Sequence, residues 1–257
     1  MKVAAIWSGG KDVYTAYHKA IEQGHDVAYL LTFVYVEPYI FHSLPIMELQ
    51  SEALGTPQLK IKIKDPYQDI FEGFARLKKE EGVDAILTGD IDSIDHKRVW
   101  GDMCSKLGIE LIMPLWDRPP YPRNSYRERV LNMEFSTGMK AIINCVNLKY
   151  LGEEWVGREF DRSCVQEMKA LVGPPGIGID AVGEFGEFHT SVLDSPLFKE
   201  AIEITKFSRK KLVWDQPEGE SRGAPGLSDT QTRMGSPPSG NYLYMDIEEA
   251  ILRPKNL

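Results

Sequence analysis

Short apolar runs alternate along the first half of the chain with segments whose apolar side chains recur at three- and four-residue spacing. Met1–Trp7 reads as a strand, and Val13–Gln23 follows as a helix that Gly24 is placed to end. Val27–Tyr35 (VAYLLTFVY) is almost wholly apolar and rich in strand-forming residues, the signature of a strand covered on both faces. Ile46–Leu54 predicts a short helix ended by Gly55, and Leu59–Ile63 a strand. After Pro66, Tyr67–Glu81 carries Ile70, Phe71, Phe74 and Leu77 at helical spacing and stops at Gly82. Val83–Leu87 predicts a fourth strand, 96–107 a helix and Ile109–Met113 a fifth strand. The order βαβαβαβαβ predicts an α/β doubly wound parallel sheet.

Asp117-Arg118-Pro119-Pro120-Tyr121-Pro122 holds three prolines in six residues and marks a hinge. The chain is therefore read as two domains, 1–117 and a smaller α+β unit over 118–257. In the second, Asn124–Ser136 predicts a helix, Ala141–Val146 a buried strand and Asp161–Leu171 a further helix. The glycine- and proline-rich loop 173–178 comes next, and then the polar, glycine-punctuated run GEFGEFHT at 183–190. Residues 217–239 are rich in Gly, Pro and Ser and predict a flexible surface excursion, after which Asn241–Ile247 returns as a strand paired with Lys210–Trp214.

Composition narrows the class. A hydrophobic fraction of 42% and a charged fraction of 26% are ordinary for a soluble globular chain, and 257 residues suffice to bury a real core. The net charge of −8 disfavours a surface built for non-specific nucleic-acid binding. Three widely separated cysteines (104, 145, 164) support neither a disulfide framework nor a zinc site and suit a reducing cytoplasm. No apolar run approaches the length that spans a bilayer, and no signal-peptide pattern is visible, so no membrane partner is expected.

Right-handed crossovers bring the C-terminal ends of parallel strands to one edge, where ligands bind near a switch in strand order. That edge collects Ser8-Gly9-Gly10-Lys11-Asp12 after the first strand, Glu37-Pro38-Tyr39 and His42 after the second, Thr88-Gly89-Asp90 after the fourth and Pro114-Leu115-Trp116 after the fifth. A strand turning sharply into a helix at SGGKD points backbone N–H groups and the positive end of a helix dipole at one spot. Two glycines allow close approach of an anion, Lys11 adds a mobile positive charge and Ser8 a hydroxyl donor. The chain has neither GxxxxGK[ST] nor GxGxxG, so a phosphate site here is of another kind.

SGGxD at the end of a first strand resembles the pyrophosphate-binding loop of the N-type ATP pyrophosphatases, which share an adenine-nucleotide alpha-hydrolase-like fold. The resemblance implies that Ser8, Gly9, Gly10 and Lys11 cradle phosphates and that Asp12 holds a magnesium ion. Val13 stands where that superfamily usually has Ser or Thr, so one phosphate-contacting hydroxyl is absent. GVDAILTGDI at 82–91, PLW at 114–116, GREFD at 157–161, GEFGEFHT and DSPLF at 194–198 are, in that order, similar to the diphthine–ammonia ligase family and its prokaryotic relatives. This implies a ligase that uses ATP to adenylate a carboxylate, releases pyrophosphate and passes the acyl group to ammonia. In diphthine–ammonia ligase the carboxylate is that of diphthine on translation elongation factor 2.

The remaining candidates each carry two readings. Asp90, beside Gly89, is a ligand or magnesium residue or else a loop cap. Glu184 and Glu187 are read as binding substrate, ammonium or metal, against a solvated acidic turn. Arg158 and Asp161 belong to the acceptor site or pair at a helix start. His189 reads as a hydrogen-bonded structural residue, His42 and Tyr39 as surface-loop residues ahead of neighbours of the nucleotide or substrate, Trp116 as junction packing ahead of a stacking platform, and Asp92, Asp95 and His96 as a charged loop ahead of a metal cluster. Two other functions compete with the ligase: a pyrophosphatase of the same superfamily acting on another small molecule or on RNA, and a non-catalytic adenine-nucleotide sensor, which Val13 favours. An oligomer is compatible with either.

Overall fold

A computed structural model describes residues 1–35, 41–116, 123–171, 179–184, 186–214 and 240–255, with the side chains of 123–126 and 214 left out. Tyr39, the proline-rich hinge and the 217–239 excursion lie outside the described residues.

Five parallel strands form the first sheet: β1 (Lys2–Ile6), β2 (Asp26–Tyr35), β3 (Gln58–Ile63), β4 (Ala85–Leu87) and β5 (Glu110–Ile112), in the order β3-β2-β1-β4-β5. Helices α1 (Lys11–Glu22), α2 (Leu44–Leu54), α3 (Pro66–Glu81) and α4 (Ile94–Leu107) connect them. The predicted elements are present, with shifted ends. Ser43, Asp65 and Ser93 cap α2, α3 and α4, each accepting a hydrogen bond from the amide three residues on. The shift that matters is at α1, which starts at Lys11 and not at Val13. Lys11 and Asp12 therefore sit in the first helical turn.

Alternating residues of the parallel strands serve two cores. Ala4, Leu31, Ile61 and Ile86 pack under α3 and α4 against Ile70, Phe74, Val99 and Met103. Val3, Ala5, Leu30 and Leu87 face α1, and this core runs on without a break to Ile143, Val146, Val192 and Leu243 of the second half.

The second half holds α5 (Arg123–Ser136), β6 (Lys140–Asn147), α6 (Arg162–Ala170), β7 (Phe188–Asp194), β8 (Glu200–Trp214) and β9 (Gly240–Pro254). Its sheet is antiparallel, in the order β7-β6-β9-β8. The predicted pairing of 210–214 with the returning strand is present as Lys210↔Tyr244 to Trp214↔Gly240, and it continues to Glu200↔Pro254 as a ribbon of two 15-residue strands. The sequence reading missed that extension and did not set out β7 as a strand.

Phe74 is fully buried at the centre of the α3 interface. Phe74→Ala is expected to cost about 3–5 kcal/mol, read as a fall in the urea midpoint with little change in the slope of the transition.

Candidate active site at the switch point of the sheet

The chain leaves β1 toward β2 on one side, while β4 lies on the other, so the order reverses between β1 and β4. Ligands of open α/β sheets bind at such a point. A cavity of about 620 Å³ opens there, lined among others by Ser8, Gly10, Lys11 and Asp12 after β1, Thr88, Gly89 and Asp90 after β4, and Glu184 and His189 from the second half.

The turn after β1 is clamped from two sides. Gly9 has φ of +77°, and a Cβ there would lie 2.6 Å from Gln50 Oε1. Gln50, fully buried on α2, accepts from Trp7 Nε1 at 2.9 Å and donates to Gly9 O at 2.9 Å and Val192 O at 2.8 Å. Val192 N donates to Gly9 O at 3.0 Å, and Lys11 N to Thr190 Oγ1 at 3.1 Å. The next two amides of α1, on Asp12 and Val13, have no acceptor among the described residues. A helix N-terminus with open amides facing a cavity suits an anion.

Lys11 corrects the expectation of a mobile cation. It is 2% exposed, with Nζ 2.6 Å from Asp12 Oδ1 and 2.9 Å from Glu134 Oε1, and it lies 5.5 Å from the centre of the Phe160 ring. Burial opposes its charge, but Asp12 and Glu134 outweigh that and hold its pKa above the ordinary lysine value. Glu134 is fully buried, and burial together with the charge of Asp12 drives its carboxyl well above the usual range, against the pull of Lys11. Sequence reasoning missed Glu134. The signal was its place on the buried stripe of α5 with Val130 and Leu131, where a carboxylate needs a partner.

Asp90 reaches the cavity as expected from its place after β4. Its oxygens take His96 Nδ1 at 2.6 Å and Trp100 Nε1 at 3.1 Å, and its amide donates to Thr88 Oγ1 at 3.3 Å. Burial raises its pKa, but these hydrogen bonds and His96 lower it further, so the carboxylate stays ionised. It lines the cavity together with His96, its two oxygens already engaged by His96 and Trp100. Of the residues read as a charged loop, Asp92 lies before α4 and pairs with Arg127 at 3.1 Å, whereas Asp95 and His96 are in the first turn of α4, Asp95 half-buried beside Arg98 and His96 lining the cavity. Among the described residues no group of three or more His, Cys, Asp or Glu side chains forms a metal cage.

The two glutamates separate. Glu184 lines the cavity, and its carboxyl is pushed up to about 8 by burial and by the charges of Asp12, Asp90 and Asp92. Glu187 is buried and outside the lining, its carboxylate accepting from Asp180 N at 3.2 Å. Arg158 and Asp161 are likewise outside the lining. Arg158 makes a two-pronged bond to Glu167 at 2.8 and 2.9 Å over the Trp155 ring, while Asp161 caps α6 through Cys164 N at 2.7 Å. Each serves helix α6, and they are not each other's hydrogen-bond partner. Trp116 is also outside the lining, covered by Lys97 at 4.4 Å from its ring centre.

His42 and His189 are both in the cavity wall, ring centres 5.3 Å apart and nearly perpendicular, with Phe41 4.8 Å from His189. Burial holds His42 down at about 3, helped by His189, and holds His189 at about 4. Both are neutral near pH 7. Gly89 is as tightly placed as Gly9: a Cβ there would stand 2.6 Å from Val13 N and 2.8 Å from Asp12 C. Its hydrogen lets β4 abut the first turn of α1. The side chain of Val13 is buried in the core and adds an apolar surface to the cavity wall.

This parallel α/β sheet of five strands brings an SGG turn and a TGD turn together at its switch point. The chain belongs to the diphthamide synthase family: the N-terminal domain model of that family matches residues 1–111 and the C-terminal domain model residues 127–222. The diphthine–ammonia ligase of Bos taurus is 27% identical over 232 residues, covering 79% of this chain and 82% of its own. That of Homo sapiens is 26% identical over the same shares, and that of Schizosaccharomyces pombe 25% identical over 80% of this chain and 36% of its own. A crystal structure described as a predicted subunit of tRNA methyltransferase from Methanocaldococcus jannaschii aligns with 76% of this chain and 98% of its own, at 16% identity and a TM-score of 0.33.

Gly89→Ala is expected to push β4 from α1, raising the Kd for ATP at least about tenfold and costing about 1–3 kcal/mol, measured by calorimetry and urea unfolding. The histidines give a pH prediction. Their folded pKa values lie below the unfolded value of about 6.5, so the unfolded chain binds more protons as pH falls from there toward 4, and stability drops over that window. Replacing both by Gln is expected to reduce the slope by up to about 1.4 kcal/mol per pH unit for each histidine.

Proposed function

We propose that this chain is an ATP-dependent ligase that forms AMP and pyrophosphate while joining ammonia to a carboxylate. The observation that carries the reading is the switch-point cavity, into which the open first-turn amides of α1 and the side chain of Asp12 face the TGD turn. Membership of the diphthamide synthase family supports the reaction class. The carboxylate we assign is that of diphthine on translation elongation factor 2, the acceptor named by the resemblance to diphthine–ammonia ligase. Free, buried cysteines 104, 145 and 164 favour a reducing compartment such as the cytoplasm, and among the described residues no helix is long and apolar enough to cross a membrane.

In this mechanism the amides of Asp12 and Val13, with the Ser8 hydroxyl and the dipole of α1, hold the β and γ phosphates. The acceptor carboxylate attacks the α-phosphorus, pyrophosphate leaves, and ammonia then displaces AMP from the acyl adenylate. Lys11 is a positioning residue: its buried ammonium grips one oxygen of Asp12 and fixes the direction of the carboxylate. The donor set fits magnesium, which binds through one or two carboxylates and otherwise keeps water and phosphate oxygens. Asp12 is the residue to hold it, and the bound ion supplies neutralisation of charge on the departing pyrophosphate. Glu184 lines the acceptor side of the cavity.

The test incubates the protein with ATP, magnesium and ammonium, with and without diphthine-bearing elongation factor 2, and follows AMP, ADP and amide. AMP formed with the amide is expected, and chelation of magnesium is expected to stop it. ADP as product overturns the reading. Asp12→Asn is expected to reduce AMP formation about 10²–10³-fold, far more than His42→Ala.

A further inference from the structure

Resting on the ligase reading, we propose that His96 is the catalytic base for the second half-reaction, taking the proton that turns ammonium into ammonia beside the acyl adenylate. Ammonium is almost wholly protonated at neutral pH and has no lone pair, so a ligase that uses it needs a proton acceptor at the site of attack.

The geometry is that of an oriented imidazole. His96 lies in the first turn of α4, and its Nδ1 is 2.6 Å from Asp90 Oδ1. Asp90 is itself fixed by Trp100 Nε1 on its other oxygen and by the bond of its amide to Thr88. A carboxylate on Nδ1 selects the tautomer with the proton there, leaving the Nε2 lone pair open. The His96 side chain is 38% exposed and lines the same cavity as Ser8, Gly10 and Asp12, and Nε2 has no partner among the described residues. This is the base-and-orienter arrangement that general-base chemistry requires.

The other titratable groups of the cavity fit the task less well. His42 and His189, at about 3 and 4, are weak bases, and Glu184, at about 8, is protonated near pH 7. Lys11 carries its proton in a buried ion pair. His96 is faced by Asp90 from the β4 turn, Glu184 from the turn before β7 and Asp95 on its own helix. Burial lowers its pKa, and the hydrogen bond and charge of Asp90 foremost raise it above the ordinary imidazole value, with Asp95, and Glu184 where ionised, adding to it. A catalytic base works best with a pKa near the working pH.

The step balances as follows. Nε2 takes one proton from ammonium, the freed lone pair forms the C–N bond to the acyl carbon, and the C–O bond to AMP breaks with its electron pair leaving on AMP. The new amide nitrogen releases its extra proton to solvent, and the imidazolium does the same.

Hydroxylamine separates this role from a structural one, because it is unprotonated at neutral pH and needs no base to free its lone pair. His96→Gln and Asp90→Asn are to be assayed at pH 7 with diphthine-bearing elongation factor 2, ATP and magnesium, using ammonium or hydroxylamine. The ratio of amide to hydroxamate is expected to fall about 10²-fold in His96→Gln and less in Asp90→Asn. The remaining amide formation is expected to rise with pH in proportion to free ammonia, whereas the wild type levels off above the pKa of His96. Proton NMR of the His96 ring is expected to show a pKa above that of free imidazole, falling in Asp90→Asn. An unchanged ratio in His96→Gln overturns the proposal while leaving the ligase reading intact; a wild type that forms no AMP with the acceptor overturns both.

Discussion

The contact on which the site depends is the buried ion pair between Lys11 and Glu134. Burying two charges is costly, and the cost is offset only where geometry is good and further polar partners are present. Lys11 meets that condition with two carboxylates and an aromatic ring. The pair joins α1, which opens on the SGGKD turn, to α5 of the second half, 123 positions away. Since Asp12 shares the same ammonium, the direction of its carboxylate is tied to a residue of the other half. The Gln50 clamp does the same for the backbone, tying Gly9 both to α2 and to β7.

Much of the first half was legible because its helices and strands have clean periods: Ile70, Phe74 and Leu77 mark one face of α3, and VAYLLTFVY a doubly covered strand. The phosphate turn was legible as a turn, but the start of α1 was not, since Gly-Gly-Lys-Asp carries no apolar period. That two-residue difference decides the fate of Lys11, which the helical turn directs inward. Nothing local to Lys11 announces Glu134, so its burial could not be read from the SGGKD stretch. The β8–β9 extension was written as the alternation of Ala201, Ile202, Glu203 and Ile204, a half-buried strand pattern passed over because the surrounding residues are strongly charged.

The candidate list divided along the same line. Residues that immediately follow β1 and β4 reached the cavity, because parallel topology carries them there whatever their side chains do. Residues of the second half had no such rule. Glu184 reached the cavity and Glu187, three positions on, turned into the protein at the entry to β7; Arg158 and Asp161 were spent on α6. His42 and His189, which read as ordinary, became part of the wall because β7 packs against the phosphate turn through Val192 and Thr190.

The cavity has an uneven charge that fits the proposed sequence of steps. Around the β4 turn stand Asp12, Asp90, Asp92 and Glu184, crowded enough that Glu184 holds its proton to about 8. The Lys11 ammonium is engaged by its own partners, and the two wall histidines are neutral near pH 7, so the α1 amides are the donors this part of the wall leaves for an anion. On the proposed reading, an acidic rim of this kind disfavours a bare polyphosphate and favours a cation such as ammonium. On that reading the same carboxylates bear on both half-reactions, through Asp12 at the α1 turn and through Asp90 and Glu184 around His96.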